Sequence, residues 1–259
     1  MSAALDLQDA VVRIGGRAVL DGASLTVQPG EVVGVLGANG AGKTTLLRAA
    51  LGLTKLERGT ARLDGRDVHA LSEGERAKRV GYLPQERRVA WSLPAWRIAA
   101  LGAVDRPDGE AKAIALSALA RVGLTALADR GVLDMSGGER ARVLIARLLA
   151  TRAPLLMADE PVAGLDPDAQ LLVMDLLRRE AGDGRAVVLT LHDLTTAARA
   201  CDRVVVLQAG QMIADGAPRE ALSAAVLEAA FGVRGEWLES AAGLVLSLQR
   251  MPSRSGRPR

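Results

Sequence analysis

Apolar residues alternate with polar ones near Leu5, Leu7, Val11 and Val12, and again over Ala18-Val19-Leu20 and Ser24-Leu25-Thr26-Val27. A period of two belongs to half-buried strands, so the chain is expected to begin with antiparallel β-structure. The pattern then changes to Glu31-Val32-Val33-Gly34-Val35-Leu36, a run that predicts a buried strand. Residues 45–51 read as a helix, 59–65 as a strand ending in a turn, and 80–83 as another short strand. From about residue 86 to 135 the chain becomes rich in alanine and leucine, with weak strand propensity. Within it, Ala111, Ile114, Ala115, Ala118 and Leu119 fall at helical spacing, predicting a helix over 110–122 and a helical insertion around it. Strand and helix then alternate over 155–158, 169–180 and 186–190, which implies a mostly parallel sheet covered by helices. Residues 204–207 and 211–213 flank Gly210 and predict a terminal hairpin. No internal repeat or heptad pattern is evident.

Composition narrows this picture. A chain of 259 residues suits one large α/β domain, and 49% hydrophobic residues with only 2% aromatics require an aliphatic core. The single cysteine, Cys201, excludes an intrachain disulfide framework and fits a reducing compartment. No apolar run approaches the ~18–20 residues that cross a bilayer, and the first residues lack the basic and apolar regions of a signal peptide. A soluble, cytosolic protein is therefore expected. The net charge is +3, but Arg250, Arg254, Arg257 and Arg259 supply +4, so the preceding 249 residues sum to −1. That argues against a basic nucleic-acid-binding face. Residues 252–259 are expected to be a disordered basic tail.

Three stretches carry chemistry. Gly37-Ala38-Asn39-Gly40-Ala41-Gly42-Lys43-Thr44 fits G-x-x-x-x-G-K-[ST], and lies between a predicted strand and a predicted helix. Such a loop aims backbone N–H groups and a helix dipole at phosphate, with a lysine charge and a hydroxyl for Mg²⁺. The expected phosphate-binding residues are Gly37, Asn39, Gly40, Ala41, Gly42, Lys43, Thr44 and Thr45. The run Leu155-Leu156-Met157-Ala158-Asp159-Glu160 places two carboxylates at the C-terminal end of a buried strand. Asp159 is placed for a metal ion and Glu160 for an attacking water. In Met135-Ser136-Gly137-Gly138-Glu139, Ser136 and Glu139 have capping-box spacing ahead of an amphipathic helix. The stretch would serve equally as an ordinary helix cap or as an anion site built from serine, glycine amides and a helix dipole.

Taken in order, the P-loop, Tyr82-Leu83-Pro84-Gln85, Ser136-Gly137-Gly138-Glu139, Asp159-Glu160-Pro161, Ala163-Gly164-Leu165-Asp166 and His192 resemble the ATP-binding subunit of an ABC transporter. The likeness covers about residues 3–232. It implies a P-loop NTPase fold of the α/β class: a mostly parallel sheet, an N-terminal antiparallel β subdomain and a helical insertion. It further implies an ATPase domain over 1–235, with 236–251 as a C-terminal extension. ATP and Mg²⁺ are the implied ligands. By the resemblance, Glu160, His192 and Gln85 are catalytic, and Thr44, Gln85 and Asp159 support the metal. Ser136, Gly137, Gly138 and Asp166 would act on nucleotide held by a second copy in a head-to-tail dimer. Integral-membrane permease subunits, and indirectly a periplasmic or extracellular substrate-binding protein, are the implied partners, without nucleic acid. The location implied is peripheral, on the cytoplasmic face of the cell membrane.

The chain departs from the family pattern in places. The family usually carries an aromatic residue before the P-loop to stack on adenine, where Ile14 stands here; Met135 and Glu139 replace the commoner leucine and glutamine. The likeness is greatest to ATPases importing iron chelates, haem and vitamin B12, through Arg79–Gln85, Ala99-Ala100-Leu101-Gly102 and Ala230-Phe231-Gly232-Val233. ATPases of amino-acid, metal-ion or lipid systems are the alternatives, followed by soluble ABC ATPases acting on DNA or ribosomes. Arg87, Arg88, Trp91 and Trp96 are candidates for permease contact, and the two tryptophans would equally serve as core of the helical unit. His69 is expected to lie on the surface.

Overall fold

A computed structural model describes residues 2–86, 89, 92–240 and 243–250. The chain runs β1 (Leu5–Ile14), β2 (Arg17–Val27), β3 (Val32–Leu36), α1 (Lys43–Ala50), β4 (Arg58–Leu63), β5 (Arg66–Asp67), α2 (Glu73–Ala77) and β6 (Val80–Leu83). Next come α3 (Ala95–Ala100), α4 (Asp108–Arg121), α5 (Gly137–Ala150), β7 (Leu155–Asp159), α6 (Pro167–Gly182), β8 (Ala186–Thr190) and α7 (Leu194–Ala200). It finishes with β9 (Arg203–Gln208), β10 (Gln211–Gly216), α8 (Pro218–Ala221), α9 (Ala224–Phe231), β11 (Val233–Ser240) and β12 (Gly243–Arg250).

Two sheets dominate. The N-terminal one has order β2-β1-β4-β5 and its pairings are antiparallel, as the two-residue alternation predicts. The central one has order β10-β9-β3-β8-β7-β6, parallel throughout except for the antiparallel edge strand β10. Strands β3, β7 and β8 are buried at every position, which is why they read as apolar runs instead of alternating ones, with Asp159 closing β7 and Thr190 closing β8. A Cβ on Gly34 in β3 would lie 2.7 Å from Cys201 Sγ, so any larger residue there would force the buried thiol aside.

The parallel arrangement positions the chemistry. Strands β3, β8, β7 and β6 are consecutive neighbours pointing the same way, so their C-terminal ends share one edge of the sheet. Register pairs Val35 with Thr190, Asp159 with Thr190, and Leu83 with Ala158. Segments far apart in sequence thus reach one crevice, the usual ligand position in open α/β sheets.

The Ala/Leu-rich stretch forms helices, as its periodicity predicts. Helix α4 buries the five residues expected, and α3 and α4 pack together and on α5. Helix α6 begins at Pro167 behind an Asp166 cap, two residues before the predicted start at Ala169, because proline is preorganised for the first turn. The predicted hairpin at Gly210 forms between β9 and β10, with Ala209 and Gly210 both at positive φ, the twist that a two-residue turn needs.

Strands β11 and β12 pair antiparallel in a further ladder, where the sequence predicts only an extension beginning at 236. Its inner residues Trp237 and Leu246 face each other across the ladder and join the main hydrophobic core. Residues 252–259, expected to be a disordered tail, lie outside the described residues. Among the described residues no helix is long and apolar enough to cross a membrane.

Candidate nucleotide-binding site

Strand β3 delivers the chain into the glycine-rich loop, and α1 begins at Lys43. Gly42, the N-cap, has φ +108, and a Cβ there would meet the Val19 carbonyl at 2.7 Å. At Gly37, φ +150, a Cβ would meet the Leu207 carbonyl at 2.4 Å. Only glycine fits either turn, so the loop folds back tightly over α1. The Lys43 side chain is only 7% exposed. Its Nζ donates to the carbonyls of Gly37 at 2.7 Å and Ala38 at 3.3 Å, across the mouth of the loop. Burial lowers the lysine pKa, while the nearby carboxylates of Glu160 and Asp159 oppose the shift.

A cavity of about 520 Å³ opens above the loop. Asn39, Gly40, Ala41, Gly42, Lys43, Thr44 and Thr45 line it together with Gln85, Glu160, His192 and Val19. Every predicted loop residue except Gly37 therefore lines the cavity, and Gly37 instead anchors Lys43.

The carboxylates differ in their surroundings. Asp159 is fully buried; its Oδ1 accepts from the Thr190 hydroxyl at 2.5 Å, while its buried Oδ2 has no hydrogen-bond partner. A buried acceptor left unpaired is costly, and such an oxygen suits a divalent cation or its bound water. Thr44 and Gln85 line the cavity above the loop, whereas Asp159, fully buried at the end of β7, does not. Among the described residues no group of three His, Cys, Asp or Glu side chains is arranged to hold a metal ion. Mg²⁺ requires none, since one carboxylate, a hydroxyl, waters and substrate phosphates can complete its shell.

Glu160 leaves the strand with φ +52, a left-handed conformation uncommon for a non-glycine residue. Its N–H donates to Thr190 Oγ1 at 2.8 Å. Its carboxylate turns toward the cavity, where Oε1 accepts from Gln85 Nε2 at 2.9 Å and lies 2.5 Å from His192 Nε2. With the carboxylate ionised, an Nε2–H imidazole donates to it. Gln85, Glu160 and His192 thus form one hydrogen-bonded group facing the phosphate loop, chemically able to orient and deprotonate a water.

The other predicted residues lie elsewhere. Ser136 caps α5: its Oγ accepts from the Glu139 N–H at 3.2 Å, and its own N–H donates to Glu139 Oε2 at 2.7 Å. These bonds pull the Glu139 pKa down. The capping-box expectation is met, but Ser136, Gly137 and Gly138 do not line the cavity of their own chain. Ser136 and Gly137 are exposed. Asp166 is also exposed and caps α6 by accepting from the Ala169 N–H at 2.9 Å. Ile14 is 57% exposed at the end of β1 and does not line the cavity, whereas Val19 does. His69 is exposed, as expected. Trp96 is half-buried against the core, with Lys112 Nζ 4.6 Å and Arg97 Cζ 5.3 Å from its ring centroid. Arg87, Arg88 and Trp91 lie outside the described residues.

Sequence reasoning missed Thr190 and Val19. Thr190 is a fully buried polar residue at the end of an apolar strand, a signal present in Val187-Val188-Leu189-Thr190 but masked by the β-propensity of threonine.

The glycine-rich loop between β3 and α1, with Glu160 and His192 beside it at one edge of a mostly parallel sheet, defines a P-loop NTPase. A family model described as ABC transporter matches residues 20–163, and the chain belongs to that family. It is 43% identical over 246 residues to the hemin import ATP-binding protein HmuV of Rhodococcus jostii, covering 93% of this chain and 84% of the relative. It is 40% identical to the cobalamin import ATP-binding protein BtuD of Halobacterium salinarum over 89% of this chain, spanning 59% of that relative's length. Among solved structures, a chain of a metal-chelate type ABC transporter in an inward-facing conformation has TM-score 0.83, covering 97% of this chain and 99% of that one. At 23% identity, that likeness speaks for the fold alone. The dimeric post-hydrolysis ATP-binding cassette MJ0796, bound to ADP and Pi, has TM-score 0.76 at 26% identity, covering 83% of this chain and 99% of that chain.

Proposed function

We propose that this chain is the Mg²⁺-dependent, ATP-hydrolysing subunit of an importer for haem or a chemically related metal chelate, of which cobalamin is the second case. The observation that carries the hydrolytic reading is Glu160, held by Gln85 and His192 beside the phosphate loop. The names of the relatives support the choice of cargo.

In this reading the loop amides and Lys43 take the phosphates, and Lys43 exchanges its carbonyl partners for phosphate oxygens. Asp159, Thr44 and Gln85 would hold Mg²⁺, which neutralises charge developing on the phosphates. Glu160 accepts a proton from the attacking water, and His192 with Gln85 fixes the carboxylate's direction. Because Ser136, Gly137 and Gly138 lie away from the cavity of their own chain, they serve the nucleotide of a second copy in a head-to-tail pair. Asp166, exposed at the start of α6, lies where it can meet that copy.

The permease surface in this reading is a groove of about 650 Å³ on the helical unit, bordered by Trp96, Leu101, Val104 and Lys112. Leu101 and Val104 are 51% and 74% exposed, apolar area that a partner would cover. The chain thereby sits on the cytoplasmic face of the membrane, and a substrate-binding protein outside delivers cargo.

The test is reconstitution in proteoliposomes with the permease that co-purifies with the chain. ATP-dependent uptake of haem, abolished by Glu160→Gln, is expected. Uptake of neither haem nor cobalamin, with ATPase activity intact, would refute the cargo assignment.

A further inference from the structure

Thr190 is 0% exposed and lies between the phosphate-loop strand and the carboxylate strand, paired with Val35 on one side and Asp159 on the other. Its hydroxyl bridges both carboxylate residues: it donates to Asp159 Oδ1 at 2.5 Å and accepts from the Glu160 N–H at 2.8 Å. We propose that Thr190 is a positioning residue of the hydrolytic site. Its hydroxyl occupies one oxygen of Asp159, leaving the other for the metal, and anchors the backbone that aims Glu160 at the attacking water.

Two geometric facts point to this role. Asp159 has one satisfied oxygen and one orphaned oxygen, both in a fully buried side chain. Without the Thr190 donor, both oxygens would be unpaired, and the carboxylate would be free to rotate and chelate or accept elsewhere. Glu160, in turn, holds a left-handed φ of +52 immediately after the strand. Such a conformation persists where surroundings over-determine it, and the bond from its N–H to Thr190 Oγ1 is one such constraint. A hydroxyl provides one donor and an acceptor, and here it uses both, on adjacent residues with different tasks. Neither task requires Thr190 to touch nucleotide, and it does not line the cavity.

This inference deepens the ATPase reading and depends on it, so its test includes a readout other than turnover. Wild type, Thr190→Val and Thr190→Ser are compared by steady-state ATPase kinetics, by ATP affinity without divalent metal, and by Mn²⁺ affinity of the ATP-loaded protein read by electron paramagnetic resonance. Valine keeps the volume and removes the hydroxyl; serine keeps the hydroxyl and loses a methyl. For Thr190→Val we expect kcat to fall about tenfold or more, equivalent to ~1.4 kcal/mol. KM and metal-free ATP affinity should stay within about threefold and Mn²⁺ should bind several-fold more weakly, whereas serine should restore all three readings. A purely structural role would lower thermal stability without separating kcat from KM or changing Mn²⁺ affinity. Wild-type kcat and Mn²⁺ affinity in the valine variant would overturn the proposal, as would a serine variant as impaired as valine. If Thr190→Val does not fold, Thr190→Ala replaces it in the same comparison. Absence of wild-type hydrolysis would instead sink the ATPase reading, while the Mn²⁺ comparison would still decide the role of the hydroxyl.

Discussion

Replacing Glu160 with glutamine changes one charge and almost no volume, so its effect isolates the carboxylate. Oε1 accepts from Gln85 Nε2 at 2.9 Å and lies 2.5 Å from His192 Nε2. A carboxamide oxygen can keep these neighbours but cannot take a proton from water. General-base catalysis contributes about 10²–10⁴-fold, so turnover should fall by that factor, ~2.7–5.4 kcal/mol in activation free energy. Binding should respond in the opposite sense. The loop amides and Lys43 are untouched, and one negative charge is removed from beside the phosphates, so ATP should bind as well as or better than in wild type. The assay pairs phosphate release at saturating Mg-ATP with equilibrium binding of a fluorescent ATP analogue. Turnover within threefold of wild type would show that another group activates the water. A large loss of affinity would show that Glu160 instead builds the pocket.

Lys43→Ala removes a buried ammonium that faces the loop and should weaken ATP binding at least tenfold by calorimetry; unchanged affinity would contradict its phosphate role. Gly102→Ala would put a Cβ 2.1 Å from the Arg147 carbonyl on α5, an overpacking defect worth ~1–3 kcal/mol that should appear as a lower Tm. The ionised Glu139 carboxylate is favoured by its bonds to Ser136, so its contribution to stability is complete above the ordinary value of 4.5 and is lost as pH falls through its lowered value. The stability advantage of wild type over Glu139→Gln should therefore shrink on acidification below about pH 4.5, and a gap independent of pH would refute the assignment.

Much of the fold was legible because its strands are either partly alternating or mostly apolar. Leu5–Val27 alternates and pairs antiparallel; Val32–Leu36 and Ala186–Thr190 are buried on both faces and pair in parallel. The β11–β12 ladder was not read, because Ala241-Ala242 between its strands has no Asn-Gly or Asp-Gly turn signature and Gly235 interrupts the apolar face. Of the site, the residues at element ends could be read, since motif and pattern together fix where Lys43 opens α1 and Asp159 closes β7. Thr190 could not: its meaning lies in the register Asp159↔Thr190, a pairing across 31 positions that no local pattern encodes. Nor could the positive φ of Glu160 or the separation of Ser136 from its own chain's cavity be read from spacing.

The claim that a second copy completes the site is tested most directly by cross-linking between two single variants, Asn39→Cys and Ser136→Cys. Both positions are exposed. The native Cys201 does not interfere, because burial, with Asp202 beside it, pushes its thiol up to about 12. The two variants, each also carrying Glu160→Gln, are mixed with Mg-ATP and oxidised under mild conditions. A disulfide-linked dimer should form in the mixture, but not in either variant alone or without nucleotide. A mixture that binds ATP yet gives no more cross-linked product than the separate variants would contradict the composite site.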